Sequence, residues 1–115
     1  MILYWPLLAL FALLLQPAPR VVHVAAERFA FFPSRITVVP GEEIELRLTS
    51  DDTAHGFRID GTDINIEIPK RGRGEVVVRF KGGAEGTYRF ECSRMCGAGH
   101  HFMRGELIVK PKGTP

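Results

Sequence analysis

After Arg20 the chain alternates between apolar and polar residues with a period of two, the mark of strands that bury one face. The clearest run is Glu43-Ile44-Glu45-Leu46-Arg47-Leu48-Thr49, which predicts Ile44, Leu46 and Leu48 on an inner face. Asn65-Ile66-Glu67-Ile68 alternates until Pro69, Thr87-Tyr88-Arg89-Phe90-Glu91 alternates again, and Glu75 to Phe80 is β-branched and apolar. Further strands are expected at Val21–Ala25, Arg35–Val39, Gly56–Ile59 and Glu106–Lys110. Turn formers separate these runs: Pro40-Gly41, Asp60-Gly61, Arg71-Gly72-Arg73-Gly74 and Lys81-Gly82-Gly83. Seven or so short strands at this spacing predict an all-β fold, a Greek-key β-sandwich. No helical period is visible beyond the N-terminal segment.

Met1 to Leu15 breaks the pattern, being almost wholly apolar. As a helix, fifteen residues reach about 22 Å, short of the roughly 30 Å hydrocarbon core of a bilayer. The segment 1–18 is read either as a signal peptide, with Val24-Ala25-Ala26 as a small-residue cleavage site, or as a membrane anchor. Either way the domain is expected to be exported, to the periplasm or the outer face of the cytoplasmic membrane. Gln16-Pro17-Ala18-Pro19 would make a stiff stalk, so residues 19–28 are assigned to a linker and first-strand region.

The remaining chain fits one domain, since the usual size is roughly 100–150 residues. A net charge of +2 with dispersed basic residues argues against a nucleic-acid footprint, which needs a clustered basic face. The Lys70-Arg71-Gly72-Arg73 run reads as a solvated turn. No Ser-His-Asp spacing, paired-carboxylate motif or phosphate-cradling glycine loop is apparent, so hydrolysis by the chain alone is not expected.

Candidate chemistry concentrates in one loop between the last two strands. Cys92, Cys96, His100 and Met103 follow one another at Cys-x3-Cys-x3-His-x2-Met spacing, and a second imidazole, His55, heads another loop. Two cysteines in an exported domain most often form a disulfide. A closed zinc site could use His55, Cys92, Cys96 and His100, but the thioether of Met103 is a poor zinc ligand and pulls towards copper. A mononuclear blue-copper site takes His2Cys with an axial Met, which leaves one cysteine too many. Two thiolates shared by two coppers remove that surplus. A sandwich gathers its loops at two ends, so the His55 loop and the Cys92–Met103 loop are expected to meet.

From Phe29 to Lys110 the sequence resembles the binuclear-copper (CuA) domain of cytochrome c oxidase subunit II, a cupredoxin-like fold, and is closest in look to the b-type haem–copper oxidases. The resemblance rests on Cys92-x3-Cys96-x3-His100-x2-Met103, on Ser50-x-Asp52-x-x-His55-Gly56-Phe57 and on Gly61-Thr62-Asp63-Ile64-Asn65. It implies a CuA-type domain over residues 29–112. It also implies two copper ions bridged by Cys92 and Cys96 and capped by His55 and His100, with Met103 and the backbone carbonyl of Arg94 as weak ligands. Most family members carry Glu at the Arg94 position, where its side chain helps hold magnesium; that site is not carried over here. Asp52 is expected behind His55, orienting the imidazole. His101 and His23 are read as outward-facing, Met95 as packed against the site, and Phe57, Phe90 and Phe102 as core or water-excluding cover.

The resemblance implies electron transfer from an external donor, a cytochrome or another cupredoxin, to subunit I of a terminal oxidase, with no catalysis by this chain alone. Two departures keep other readings open. The N-terminal segment is marginal even for one membrane span, and the only Trp is Trp5, whereas many members have a donor-facing Trp. A free-standing periplasmic CuA cupredoxin, or a copper carrier that hands on metal, would use the same ligands.

Overall fold

The computed structural model describes residues 18–113, so the expectations for the 1–17 segment lie outside the described residues. Among the described residues nine strands form: β1 (Arg20–Glu27), β2 (Ala30–Phe32), β3 (Arg35–Val38), β4 (Glu43–Ser50), β5 (His55–Ile59), β6 (Asn65–Ile68), β7 (Val76–Lys81), β8 (Gly86–Glu91) and β9 (Arg104–Val109). One short 3-10 turn, His100–Phe102, precedes β9. Each strand expected from the alternation is present within a residue or two of its predicted ends. Two elements are additions. β2 hides in Ala30-Phe31-Phe32-Pro33, too short to show a period, and the 3-10 turn lies in the glycine-rich ligand loop.

The strands make two sheets, in the orders β2-β1-β4-β7 and β3-β9-β8-β5-β6. The chain repeatedly crosses between them, as a Greek-key sandwich requires. Each sheet has one parallel pairing, β1 with β4 and β3 with β9; the other pairs are antiparallel. Among the described residues no helix is long and apolar enough to cross a membrane.

Ile44, Leu46 and Leu48 are fully buried, as the alternation of β4 predicts, and they lie beside Val78 and Phe80 of β7 and Val24 of β1 on the inner face of one sheet. Val24 and Ala26 are themselves buried, in a strand that pairs with β4 from Arg20↔Ile44 to Ala26↔Ser50. Cleavage at Val24-Ala25-Ala26 would therefore strip an inner strand from the sheet, and that expected site is incompatible with the sandwich.

Below the ligand loop the core closes with three phenylalanines. Phe31, Phe57 and Phe90 stack pairwise with ring centroids 5.1–5.7 Å apart. Edge and tilted contacts of this kind add about 0.5–1.5 kcal/mol beyond simple burial. The β2 residue Phe31 thus explains why an unpromising tripeptide becomes a strand: its side chain is buried and completes the aromatic cluster with Phe57 and Phe90.

Candidate metal centre

His55 opens β5 and is completely buried. Cys92 follows β8 directly, and its amide donates to the Met103 carbonyl at 3.0 Å, closing the base of the loop. Between them the chain turns through Cys96 and the 3-10 turn, then enters β9. The result is convergence of the donors read from the sequence. The sulfurs of Cys92 and Cys96 lie 3.7 Å apart and are not bonded. His55 Nδ1 is 4.0 Å from Cys92 Sγ, and His100 Nδ1 is 3.7 Å from Cys96 Sγ. Met103 Sδ lies 3.8 Å from Cys96 Sγ, and the Arg94 carbonyl accepts from the Cys92 thiol at 3.0 Å. Cys92, Cys96 and Met103 are all buried. This set of soft donors, with both imidazoles turning Nδ1 to sulfur, fits copper, and its donor number exceeds what one small ion needs. His55, Cys92 and Cys96 bring their ligand atoms within 4.8 Å of one another.

The hydrogen bonds around these donors explain their aim. Asp52 Oδ1 sits 2.6 Å from His55 Nε2, which leaves Nδ1 for the sulfur side, as expected of a carboxylate behind a metal-bound imidazole. Asp52 is itself fixed by the amides of Arg28 at 2.9 Å and Thr53 at 2.7 Å. Burial works to raise the Asp52 pKa, but the bonds from Arg28, His55 and Thr53 together outweigh it and hold the group below its usual value. Burial, followed by the neighbouring Cys92, pushes the Cys96 thiol up to about 11. Without metal Cys96 is therefore protonated at neutral pH, and metal binding must displace that proton.

Three features of the site are not legible in the sequence. Gly56 lies so close to the ligand loop that a Cβ would stand 2.3 Å from Ser93 Oγ and 2.7 Å from the Arg94 nitrogen. Phe29 covers the far side of the loop, where a Cβ on Gly99 would come within 2.4 Å of its ring. Arg28 donates from Nε to the Cys96 carbonyl at 2.7 Å. The only available signal was Gly beside a ligand at 56, 97 and 99. Nothing local marks Arg28 or Phe29, because their contacts lie some seventy positions away.

Elsewhere two expectations need correction. Phe57 and Phe90 are core, but Phe102 is 80% exposed and Met95 is 68% exposed. The 3-10 turn faces Phe102 outward, while Met95 stands on the outer side of the arc between the two buried cysteines. His101 and His23 are exposed, as read from the sequence. The Arg94 side chain points away from the sulfurs and pairs with Glu67 at 2.5 Å.

The cupredoxin-like domain family matches residues 1–109, which makes this a cupredoxin-like protein. More narrowly, the chain belongs to the cytochrome c oxidase subunit 2 family, the electron-transfer family that its ligand spacing resembles. It is 41% identical over 95 residues to a cytochrome c oxidase subunit 2 of Thermus thermophilus, covering 82% of this chain and 68% of that one. A second Thermus thermophilus subunit 2 matches equally, at 41% over 95 residues, but there the chain spans 55% of the relative's length. Two solved structures share the fold. A chain of a haem–copper terminal oxidase dimer superposes with a TM-score of 0.70 at 23% identity, covering 95% of each chain. The periplasmic domain of cytochrome oxidase subunit II from Bradyrhizobium japonicum gives 0.73 at 17% identity, over 84% of this chain and 88% of that one.

Proposed function

We propose that the domain carries single electrons through a two-copper CuA centre, as a subunit II-like partner of a terminal oxidase. The observation that supports this most directly is the convergence of two buried thiols, two imidazoles and a thioether at one end of the sandwich, with sulfur–sulfur and sulfur–nitrogen separations of 3.7–4.0 Å. In this reading Cys92, Cys96, His55 and His100 would hold the ions, with Met103 and the Arg94 carbonyl as weaker ligands. When bound, copper supplies one-electron uptake and release.

The chain's own residues supply rigidity and dryness. Asp52 locks the His55 ring, Phe31, Phe57 and Phe90 share one buried cluster with Cys92, Cys96 and Met103, and burial of the sulfurs keeps water away. Ligands that cannot move and solvent that is already excluded leave little to reorganise when charge changes. Such a scaffold suits relay better than handover of metal. The proposed setting is outside the cytoplasm, at the periplasm or the outer membrane face, with a cytochrome or cupredoxin as donor and oxidase subunit I as acceptor.

Metal analysis and an electron-spin spectrum of the copper-loaded protein test the reading. Two coppers per chain and a mixed-valence spectrum, lost in Cys92→Ser and Cys96→Ser, are the expected result. One copper with a four-line blue-site signal, or zinc with no redox signal, would defeat it.

A further inference from the structure

The segment Arg28-Phe29 touches both halves of the candidate centre at once. Its main chain reaches the His55 side, because the Arg28 amide holds Asp52 Oδ2 at 2.9 Å while Asp52 Oδ1 holds His55 Nε2. Its side chains reach the other side. Arg28 Nε donates to the Cys96 carbonyl at 2.7 Å, and the Phe29 ring fills the space that side chains at 97 and 99 would need. Two loops far apart in sequence are thus joined by one dipeptide.

The guanidinium has a second property. Arg58, Arg89 and Arg94 each pair with a carboxylate, which offsets their charge. Arg28 has no such ion pair among the described residues, and its hydrogen bond goes to the peptide of a buried cysteine. Arg28 is itself exposed, so solvent screens part of its charge, but its guanidinium lies against the Cys96 peptide, near enough to act on whatever charge the site gains or loses.

We propose that Arg28 is a positioning and potential-setting residue of the copper centre. Its guanidinium anchors the Cys96 turn, and its uncompensated positive charge disfavours the oxidised cluster, so it holds the reduction potential up. This rests on the copper reading above. The two roles separate by substitution, since every variant keeps the main-chain amide on Asp52. Arg28→Lys keeps charge, Arg28→Gln keeps a donor without charge, and Arg28→Met keeps neither.

The test compares full-length, copper-loaded proteins by redox titration, by electron-spin spectrum and by the rate of copper loss to a chelator. Arg28→Gln should lower the midpoint while leaving the spectrum and copper retention close to the parent. Arg28→Met should lower the midpoint and also lose copper several-fold faster, whereas Arg28→Lys should keep the parent midpoint. A parent-like midpoint in Arg28→Gln overturns the charge role. Copper loss from Arg28→Met no faster than from the parent overturns the anchoring role. Melting of the metal-free variants guards against a merely structural effect, because this exposed residue should leave it nearly unchanged. If the parent lacks the two-copper spectrum, the copper count fails, while the retention comparison still judges Arg28.

Discussion

Asp52 and His55 are three residues apart, and the short turn between them suffices to lay carboxylate against imidazole. Such local pairing is why that half of the site could be read from spacing. Cys92, Cys96, His100 and Met103 were equally visible, since a single loop carries them. Gly56 shows what spacing conceals: its role is to be absent as a side chain. Gly56→Ala should cost about 1–3 kcal/mol, the usual penalty of overpacking, because backbone as well as Ser93 stands in the way. Urea unfolding of the metal-free protein would measure the loss, and copper retention should fall with it. Arg94 is the opposite case. Its carbonyl faces the Cys92 thiol while its side chain is turned out to Glu67, so Arg94→Ala should keep both coppers and most of the optical spectrum. Loss of copper in that variant would move the role from main chain to side chain. At Met103, replacement by Leu nearly conserves volume, so the fold should survive within about 1.5 kcal/mol. The midpoint should shift more than the metal content, as redox titration and metal analysis can show.

At the scale of strands, period-two alternation located β4, β6 and β8, which bury one face, while β7 was marked by its β-branched apolar run. β4 is the model case, with Ile44, Leu46 and Leu48 inward and Glu43 and Thr49 outward. β2 and the 3-10 turn escaped because three residues cannot establish a period; tertiary contact of Phe31 decides the first, and the tight return to β9 the second. Ion pairs then tie elements together. Arg20 at the start of β1 donates to Glu42 ahead of β4, and Glu42 also accepts from the Val39 amide at 3.1 Å. The Arg20 hydrogen bond, then that from Val39, holds the Glu42 pKa below its ordinary 4.5. Glu91 at the end of β8 is lowered likewise, first by Arg58. A carboxylate whose folded pKa is depressed contributes stability above its unfolded pKa and loses it as pH falls through the folded one. Stability of the metal-free protein should therefore drop below about pH 4.5, the ordinary value for these groups. Glu42→Gln should flatten that drop in denaturant titrations across pH. A drop of unchanged steepness would show that Glu42 contributes none of it.

Over the whole molecule, the end that carries the ligand loop has an apolar and a basic character, and the structure changes their balance. Arg58 and Arg94, positive charges that by themselves would repel a cationic donor, are paired with Glu91 and Glu67. Arg104 instead donates to the His101 carbonyl and keeps its charge without a carboxylate among the described residues. Meanwhile Met95 and Phe102 stand exposed on the ligand loop itself. A donor that meets this face through apolar contact should show only a weak dependence of its rate on salt. Stopped-flow reduction by a cationic and an anionic cytochrome over a salt series checks this. A steep fall with salt for the cationic donor would overturn it.

The two parallel pairings have a consequence in time. β1 must find β4, and β3 must wait for β9, the last strand among the described residues: Arg35 pairs with Glu106 and Val38 with Val109. Such distant partners place the chain among slow folders, with refolding in roughly milliseconds to seconds. The ligand loop itself lies between β8 and β9, and its partner His55 comes from β5, so the donors gather only once the second sheet is nearly whole. Metal would then meet a finished protein and act on its lifetime rather than its birth. Copper should slow unfolding and leave the refolding rate almost untouched, since contacts that form after the transition state act on the unfolding step alone.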